Sequence, residues 1–274
     1  DESVPARVVR VAGDNNFPPF EYVDENGIYK GFDVDLLRAV GLETGLDVEL
    51  VPMPWSEALE AMNSGRVDAI QGMKFTPERA ARYGFTEAYL TTSTAIFVPI
   101  QDAYIRQIED LQGSSVAVQR GDFAYDLLLS MDRVRLTVTE NQEQALDLLV
   151  LGKVDAFVGN RLTGLYFAQK KRVAERIKIV GDPINPARYG IATLPQNKAL
   201  TELLNKGLAE TRKKGTYDKI YSKWFGQTLV DQERWLRLAA YGLGVLALAA
   251  LAGSLVIWRW NKSLQREVSR RTRE

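Results

Sequence analysis

The sequence contains no cysteine and no histidine. The first absence excludes disulfides, thiolate metal sites, a thiol nucleophile and lipid attachment through an N-terminal cysteine. The second removes the usual general base of serine and cysteine hydrolases and the commonest metal ligand. An enzyme built on this chain would have to work with carboxylates, lysine or tyrosine. A surplus of one charge sign is missing too: 35 basic and 35 acidic residues cancel, so no global field favours nucleic acid. The opening residues Asp1-Glu2-Ser3-Val4-Pro5 have neither a basic n-region nor an apolar h-region. Export would need a signal that lies upstream or has been removed.

What is present begins with size: 274 residues suffice for more than one hydrophobic core. From Leu238 to Trp258 about 21 residues pass without a charge, and a helix needs roughly 20 apolar residues to cross a bilayer. Tyr241 lies near one end of this run, Trp258 and Trp260 at the other, where interfacial aromatics belong. A buried core helix is the alternative, but such helices are usually shorter and keep a polar face. The residues after Trp258 are rich in Arg and Lys, whereas Gln227 to Arg237 are balanced. The positive-inside rule puts the C-terminus in the cytoplasm and residues 1 to about 235 outside.

Ahead of this run, strand and helix patterns alternate. Val8-Val9-Arg10-Val11-Ala12 reads as a buried strand, and Phe32, Leu36, Leu37 and Val40 share one helical face that Gly45 closes. Such βαβ alternation predicts a mainly parallel sheet covered by helices. An internal repeat sharpens this: Gly65-Arg66-Val67-Asp68-Ala69-Ile70-Gln71-Gly72 returns as Gly152-Lys153-Val154-Asp155-Ala156-Phe157-Val158-Gly159. Each copy follows an amphipathic helix, so two similarly built α/β lobes are expected, with loops at the strands' C-terminal ends available to a ligand. Ile96-Phe97-Val98-Pro99 and Pro183-Ile184-Asn185-Pro186 are the expected crossovers, making a two-strand hinge.

Two features suggest a site. In Met73-Lys74-Phe75-Thr76-Pro77-Glu78-Arg79, Thr76 can cap a helix and Pro77 fits its first turn. Helix N-termini attract anions and Arg79 adds a bidentate fork; a plain cap with a surface ion pair fits the spacing equally. The second feature is Asp14-Asn15-Asn16-Phe17-Pro18-Pro19-Phe20-Glu21-Tyr22, after the first strand, with Trp55 at the equivalent end of the second. These rings suit either a pocket wall or a core.

Phe17-Pro18-Pro19-Phe20-Glu21-Tyr22, Gly31-Phe32-Asp33-Val34-Asp35-Leu36 and Thr76-Pro77-Glu78-Arg79 resemble the family 3 bacterial solute-binding proteins. Asp110-Leu111-Gln112-Gly113, Val116-Ala117-Val118-Gln119-Arg120-Gly121 and the stretch from Gly215 to Gly226 continue the resemblance in order, from about Val8 to Gly226. It implies a two-lobed α/β periplasmic-binding-protein (Venus flytrap) fold with two hinge crossovers, here followed by a single transmembrane helix. It also implies that Arg79 clamps a ligand carboxylate, that Phe17 and Trp55 sandwich the ligand, that Asp14 lies in the same wall and that the Gly72 backbone assists. From the second lobe, Gln119, the Gly121-Asp122 turn and Asn160 would face the cleft. The sequence departs from the family twice: Asn160 stands where an aspartate often catches the α-ammonium, and Lys74 where a hydroxyl is common. The pocket is therefore expected to be more cationic than that of an ordinary amino-acid binder, suiting an acidic amino acid or a carboxylate without an ammonium, unless Asp122 supplies the negative charge.

Arg259 to Glu274, with Leu264 and Val268 at i,i+4, resembles the helix leaving the membrane in sensor histidine kinases and diguanylate cyclases; a stop-transfer anchor alone is the plainer reading. The expected layout is first lobe 1–97, second lobe 98–186, return to the first lobe 187–226, juxtamembrane linker 227–236, transmembrane helix 237–258 and cytoplasmic helix start 259–274. The function implied is the ligand-sensing region of a bacterial inner-membrane receptor, a homodimer without catalysis in this segment, cofactor, metal or nucleic-acid partner. Its full-length form would be a histidine kinase or, alternatively, a diguanylate cyclase. A membrane-tethered binding protein of an amino-acid importer is the competing function.

Overall fold

The computed structural model describes residues 8–226 continuously and, beyond them, only Tyr241, Gly244, Gly253, Ser254, Ile257, Trp258 and Lys262. The expected linker, span and cytoplasmic helix thus lie almost entirely outside the described residues. Among the described residues no helix is long and apolar enough to cross a membrane. Of these, residues 8–224 belong to one compact unit.

In chain order this unit contains β1 (Val9–Asp14), the short strands β2 (Asn16–Phe17), β3 (Glu21–Val23) and β4 (Tyr29–Lys30), α1 (Phe32–Thr44), β5 (Val48–Met53) and α2 (Trp55–Asn63). Then come β6 (Ala69–Lys74), α3 (Pro77–Ala80), β7 (Gly84–Phe85), β8 (Leu90–Pro99), β9 (Ser115–Gln119), α4 (Phe123–Leu129) and β10 (Arg135–Thr139). The remainder is α5 (Gln142–Val150), β11 (Ala156–Asn160), α6 (Arg161–Lys170), β12 (Ile177–Thr193), α7 (Lys198–Lys213) and α8 (Thr216–Phe225).

The two lobes share one plan. In the first, β1 lies parallel between β5 and β6, and β6 runs antiparallel to β12; in the second, β9 lies parallel between β10 and β11, and β11 runs antiparallel to β8. The repeated sequence supplies the corresponding strands β6 and β11, and its aspartates have the same task. The Asp68 carboxylate accepts the Arg10 backbone N–H at 3.0 Å, and the Asp155 carboxylate accepts that of Ser115 at 2.7 Å. Each aspartate thereby fastens its strand to the start of the parallel neighbour. Gly65 and Gly152 hold left-handed φ values of 71° and 68°, a conformation that a Cβ disfavours.

The second-lobe sheet is apolar on both faces, as a parallel sheet under two helical layers must be. Ala117, Phe157 and Phe97 pack towards α5 and α6, while Val116, Val118 and Val158 pack with Ala124 and Leu128 of α4. Phe97 and Phe157 stack at 5.0 Å; complete burial of each such ring contributes on the order of 2 kcal/mol. The first-lobe core joins Trp55, Ala58 and Met62 of α2 to Ile70 and Met73 of β6.

Strands β8 and β12 pass between the lobes side by side. In β12, Tyr189 to Thr193 pair with β6 of the first lobe, while Ile177 to Ile184 pair with the part of β8 that adjoins β11. Ile96, Phe97 and Val98 pack inside the second-lobe cores, so the first passage lies ahead of them, near Leu90–Thr94, rather than at Ile96–Pro99. The second passage, at 184–187, overlaps the expected 183–186.

Candidate functional site

The site is assembled where parallel strands end. β1 ends at Asp14, β6 at Lys74, and β9 at Gln119, with α3 and α4 starting just beyond. β6 continues past Gly72 because Met73 and Lys74 pair with Gly190 and Tyr189 of β12; Lys74 is thus a buried strand residue, 2 % exposed.

The turn after it forms as its residue types dictate. Pro77 opens α3, and the Thr76 hydroxyl accepts the Arg79 backbone N–H at 3.2 Å. This holds the Arg79 side chain, itself buried, towards the other lobe. Its guanidinium donates to the Lys74 carbonyl at 3.3 Å and across the cleft to the Gly121 carbonyl at 3.0 Å, with the exposed Asp126 carboxylate at 3.7 Å. Trp55 Nε1 donates to the same Gly121 carbonyl at 2.9 Å. Gly121 has φ +71°, and a Cβ there would lie 3.0 Å from Leu59, which explains the glycine at this contact. Deeper in, Gln119 Nε2 donates to Asp14 at 2.7 Å.

These bonds draw the lobes together around a cavity of only about 10 Å³, roughly the room of one water molecule. An amino-acid-sized ligand can enter only when the lobes part. Eight of the nine residues expected from the sequence line this cavity: Asp14, Phe17, Trp55, Gly72, Lys74, Arg79, Gln119 and Asp122.

Asn160 does not. Its side-chain oxygen accepts from Leu162 and Thr163 as the cap of α6, and its amide donates to Thr92 on the crossing strand at 2.9 Å. Asp122 caps α4 by accepting from Phe123 at 2.7 Å while still facing the cavity. The Gly72 N–H donates to the Tyr89 hydroxyl at 2.9 Å, so it is already used within the first lobe.

Two further lining residues, Glu21 and Tyr189, are not singled out by sequence reasoning. Tyr189 lies where β12 returns, stacked on Phe20 at 6.2 Å, and only strand register reveals its direction. Glu21 stands inside the Phe17–Tyr22 motif, but its partners are far apart in sequence: Tyr29 donates to it at 2.9 Å, and Gln71 at 2.5 Å.

The cavity floor is an acid cluster. Burial pushes the Asp14 carboxyl up to about 7, opposed by hydrogen bonds from Asn16 and Gln119. Burial and repulsion by Asp33 raise Glu21 well above the usual carboxylate range. Asp33 is raised by burial too; it has no hydrogen-bond partner of good geometry, and the Tyr89 hydroxyl beside it partly offsets the effect. A Cβ on Gly72 would lie 2.8 Å from Asp33 and 3.0 Å from Glu21, so these acids pack directly behind the cleft. Lys74 is lowered to about 8, chiefly by burial.

These acids set a pH dependence opposite in sign to that of a salt-bridged carboxylate. An unfolded carboxyl releases its proton near pH 4, whereas in the folded protein Asp14 and Asp33 keep theirs to about pH 7 and Glu21 is raised in the same direction, so the folded state binds more protons between those values. Stability should therefore fall as pH rises from 4 to 7, and the contribution of Asp14 and Asp33 to the loss should then level off. Thermal unfolding at pH 5 is expected to occur at higher temperature than at pH 7.5. The double substitution Glu21→Gln and Asp33→Asn should flatten the difference, and an unaltered slope would show that these carboxyls are not its source.

The solved structure of a histidine kinase sensor domain with similarity to periplasmic binding proteins is 33% identical, with a TM-score of 0.77, covering 80% of this chain and 96% of that one. The substrate-binding protein of an amino acid ABC transporter is 28% identical with a TM-score of 0.73, covering 81% and 100%. Among curated proteins, the "Probable histidine-binding protein" of Neisseria gonorrhoeae is 30% identical, over 81% of this chain and 85% of its own length. Residues 9–227 match the family described as bacterial extracellular solute-binding proteins, family 3. With its two lobes, its cleft and this match over most of its length, the chain belongs to that family.

Proposed function

We propose that the chain is the extracytoplasmic ligand-sensing region of a bacterial transmembrane receptor. It binds a small carboxylate-bearing solute, an amino acid or related acid, between its lobes, and closure is coupled to a cytoplasmic output domain. The observation that carries the binding reading is Arg79: a buried guanidinium whose hydrogen bonds go to two neutral carbonyls. A carboxylate would exchange those for charge-assisted, bidentate bonds.

The receptor reading is supported by the apolar run 238–258, the basic flank after it and the charged stretch 259–274. The similarity to a histidine kinase sensor domain favours it as well. In this reading residues 1 to about 235 lie outside the inner membrane, and the output is a histidine kinase or, alternatively, a diguanylate cyclase, working as a homodimer. The similarity to an ABC-transporter binding protein favours a second reading, a tethered binding protein serving an importer.

One strain separates the two. Deleting the receptor is expected to abolish the ligand-dependent output and leave ligand uptake intact. In the parent strain, protease added to spheroplasts should cut the lobes and spare a C-terminal epitope. Loss of uptake with unaffected output would replace the receptor by the importer component, and lobes protected from protease would reverse the topology.

A further inference from the structure

Lys74 lines the cavity as a cation with no direct ion pair among the described residues. Its ammonium is 3.3 Å from the Thr94 hydroxyl and 3.5 Å from the centre of the Phe123 ring, and among the described residues no carboxylate lies within ion-pair distance. An ammonium has three donors, and here one goes to a hydroxyl and another direction is taken by a π face. Burying a charge in this way is costly unless a partner completes it. The Phe123 face helps to keep the lysine charged, and Phe123 belongs to the lobe opposite Lys74. The cation is therefore enclosed only when the cleft is closed, which is when a ligand is held.

The two cations diverge from their shared turn. Arg79 reaches outward to Gly121 and the exposed Asp126, whereas Lys74 reaches inward to Thr94 on the crossing strand β8. Two cations with separate partners can take two anionic groups rather than one. The lining acids supply one at most: Asp14 is bonded to Gln119 and Asn16 and Glu21 to Tyr29 and Gln71, whereas Asp122, although it caps α4, remains a carboxylate near Lys74. Burial also drives Asp14 and Glu21 towards their neutral forms, which leaves Lys74 and Arg79 facing Asp122.

We propose that Lys74 receives a second anionic group of the ligand, so that the cleft selects small dicarboxylates, acidic amino acids included, over monocarboxylates. This rests on the assignment of Arg79 to the first carboxylate.

The test is calorimetry on the full chain with matched acid and amide probes: L-glutamate against L-glutamine, L-aspartate against L-asparagine, with glutarate, succinate and L-arginine. At least one acid should bind about tenfold or more tightly than its amide, the scale of one charge-assisted contact. In Lys74→Met that ratio should fall to near one, and Lys74→Arg should restore part of the preference. Circular dichroism confirms that each variant is folded; should Lys74→Met fail to fold, Lys74→Thr carries the same comparison. Amides or arginine binding as tightly as the acids, or an acid preference that survives loss of the lysine, overturns the inference while leaving the carboxylate clamp standing. Absence of binding by every probe overturns both.

Discussion

Replacing Arg79 by alanine is expected to weaken ligand binding severely while leaving the fold intact. The side chain makes its hydrogen bonds to the Lys74 and Gly121 carbonyls, both at the cleft, and neither belongs to a hydrophobic core. The helix start does not need the guanidinium, because the Thr76 cap uses the Arg79 backbone N–H, which alanine keeps. Truncating one partner of a buried, hydrogen-bonded charge pair costs roughly 2–5 kcal/mol. Since about 1.4 kcal/mol is a factor of ten, affinity should drop some thirtyfold to several thousandfold. Arg79→Lys should recover only part of it, since an ammonium lacks the planar fork. Calorimetry with the tightest acid found among the probes above is the measurement. An unchanged dissociation constant in folded Arg79→Ala would sink the clamp.

How far this site can be read from sequence depends on whether a residue's role is local. Thr76, Pro77 and Arg79 act within one turn, so the order of residue types is enough to show a capped helix start. The paired aspartates of the repeat are legible as a repetition, but their task is not. Asp68 fastens a strand that begins nearly 60 residues earlier in the chain, its partner Arg10 being 58 positions away, and Asp155 reaches back 40 positions to Ser115. Pairing of that kind leaves no trace in local periodicity.

Asn160 shows the complementary difficulty. An amide at the end of a strand can face a cleft or cap the following helix, and its identity does not distinguish the two. Here the backbone N–H groups of Leu162 and Thr163 claim its oxygen. The hinge misleads for a similar reason: Pro99 does mark the end of an extended segment, but that segment is already buried in the second lobe through Phe97. The acid cluster is the least legible part. Glu21, Asp33 and Gln71 meet only because β3, the start of α1 and β6 converge behind Gly72, and nothing in their spacing says that they share one volume.

If the chain is the sensing region of the receptor proposed above, inserting a short Gly/Ser segment after Gly226 of the full-length protein is expected to leave ligand binding unchanged and to make the output insensitive to ligand. A ligand shifts a conformational equilibrium only by contacting one state better than the other, and here the differential contacts lie between the lobes. Tyr166 on α6 of the second lobe meets Tyr22 of the first at 5.9 Å, and Tyr22 meets the edge of Trp224 at 6.3 Å. Trp224 and Lys223 in α8 also donate to Asp35 of α1, at 2.8 and 2.7 Å. The end of α8 is thus held by first-lobe residues and by the tyrosine that the second lobe touches. Movement of the second lobe on β8 and β12 would alter the Tyr166 contact and, through Tyr22, the setting of Trp224, just before Gly226. A flexible insert after Gly226 leaves that chain of contacts whole but interposes compliant coil beyond it. Binding by calorimetry and output by phosphorylation or cyclic-nucleotide assay, measured on the same variant, separate the two effects. Ligand-dependent output that persists at parental amplitude through an insert of about six residues, long enough to behave as flexible coil, would mean that the signal does not travel mechanically through this junction.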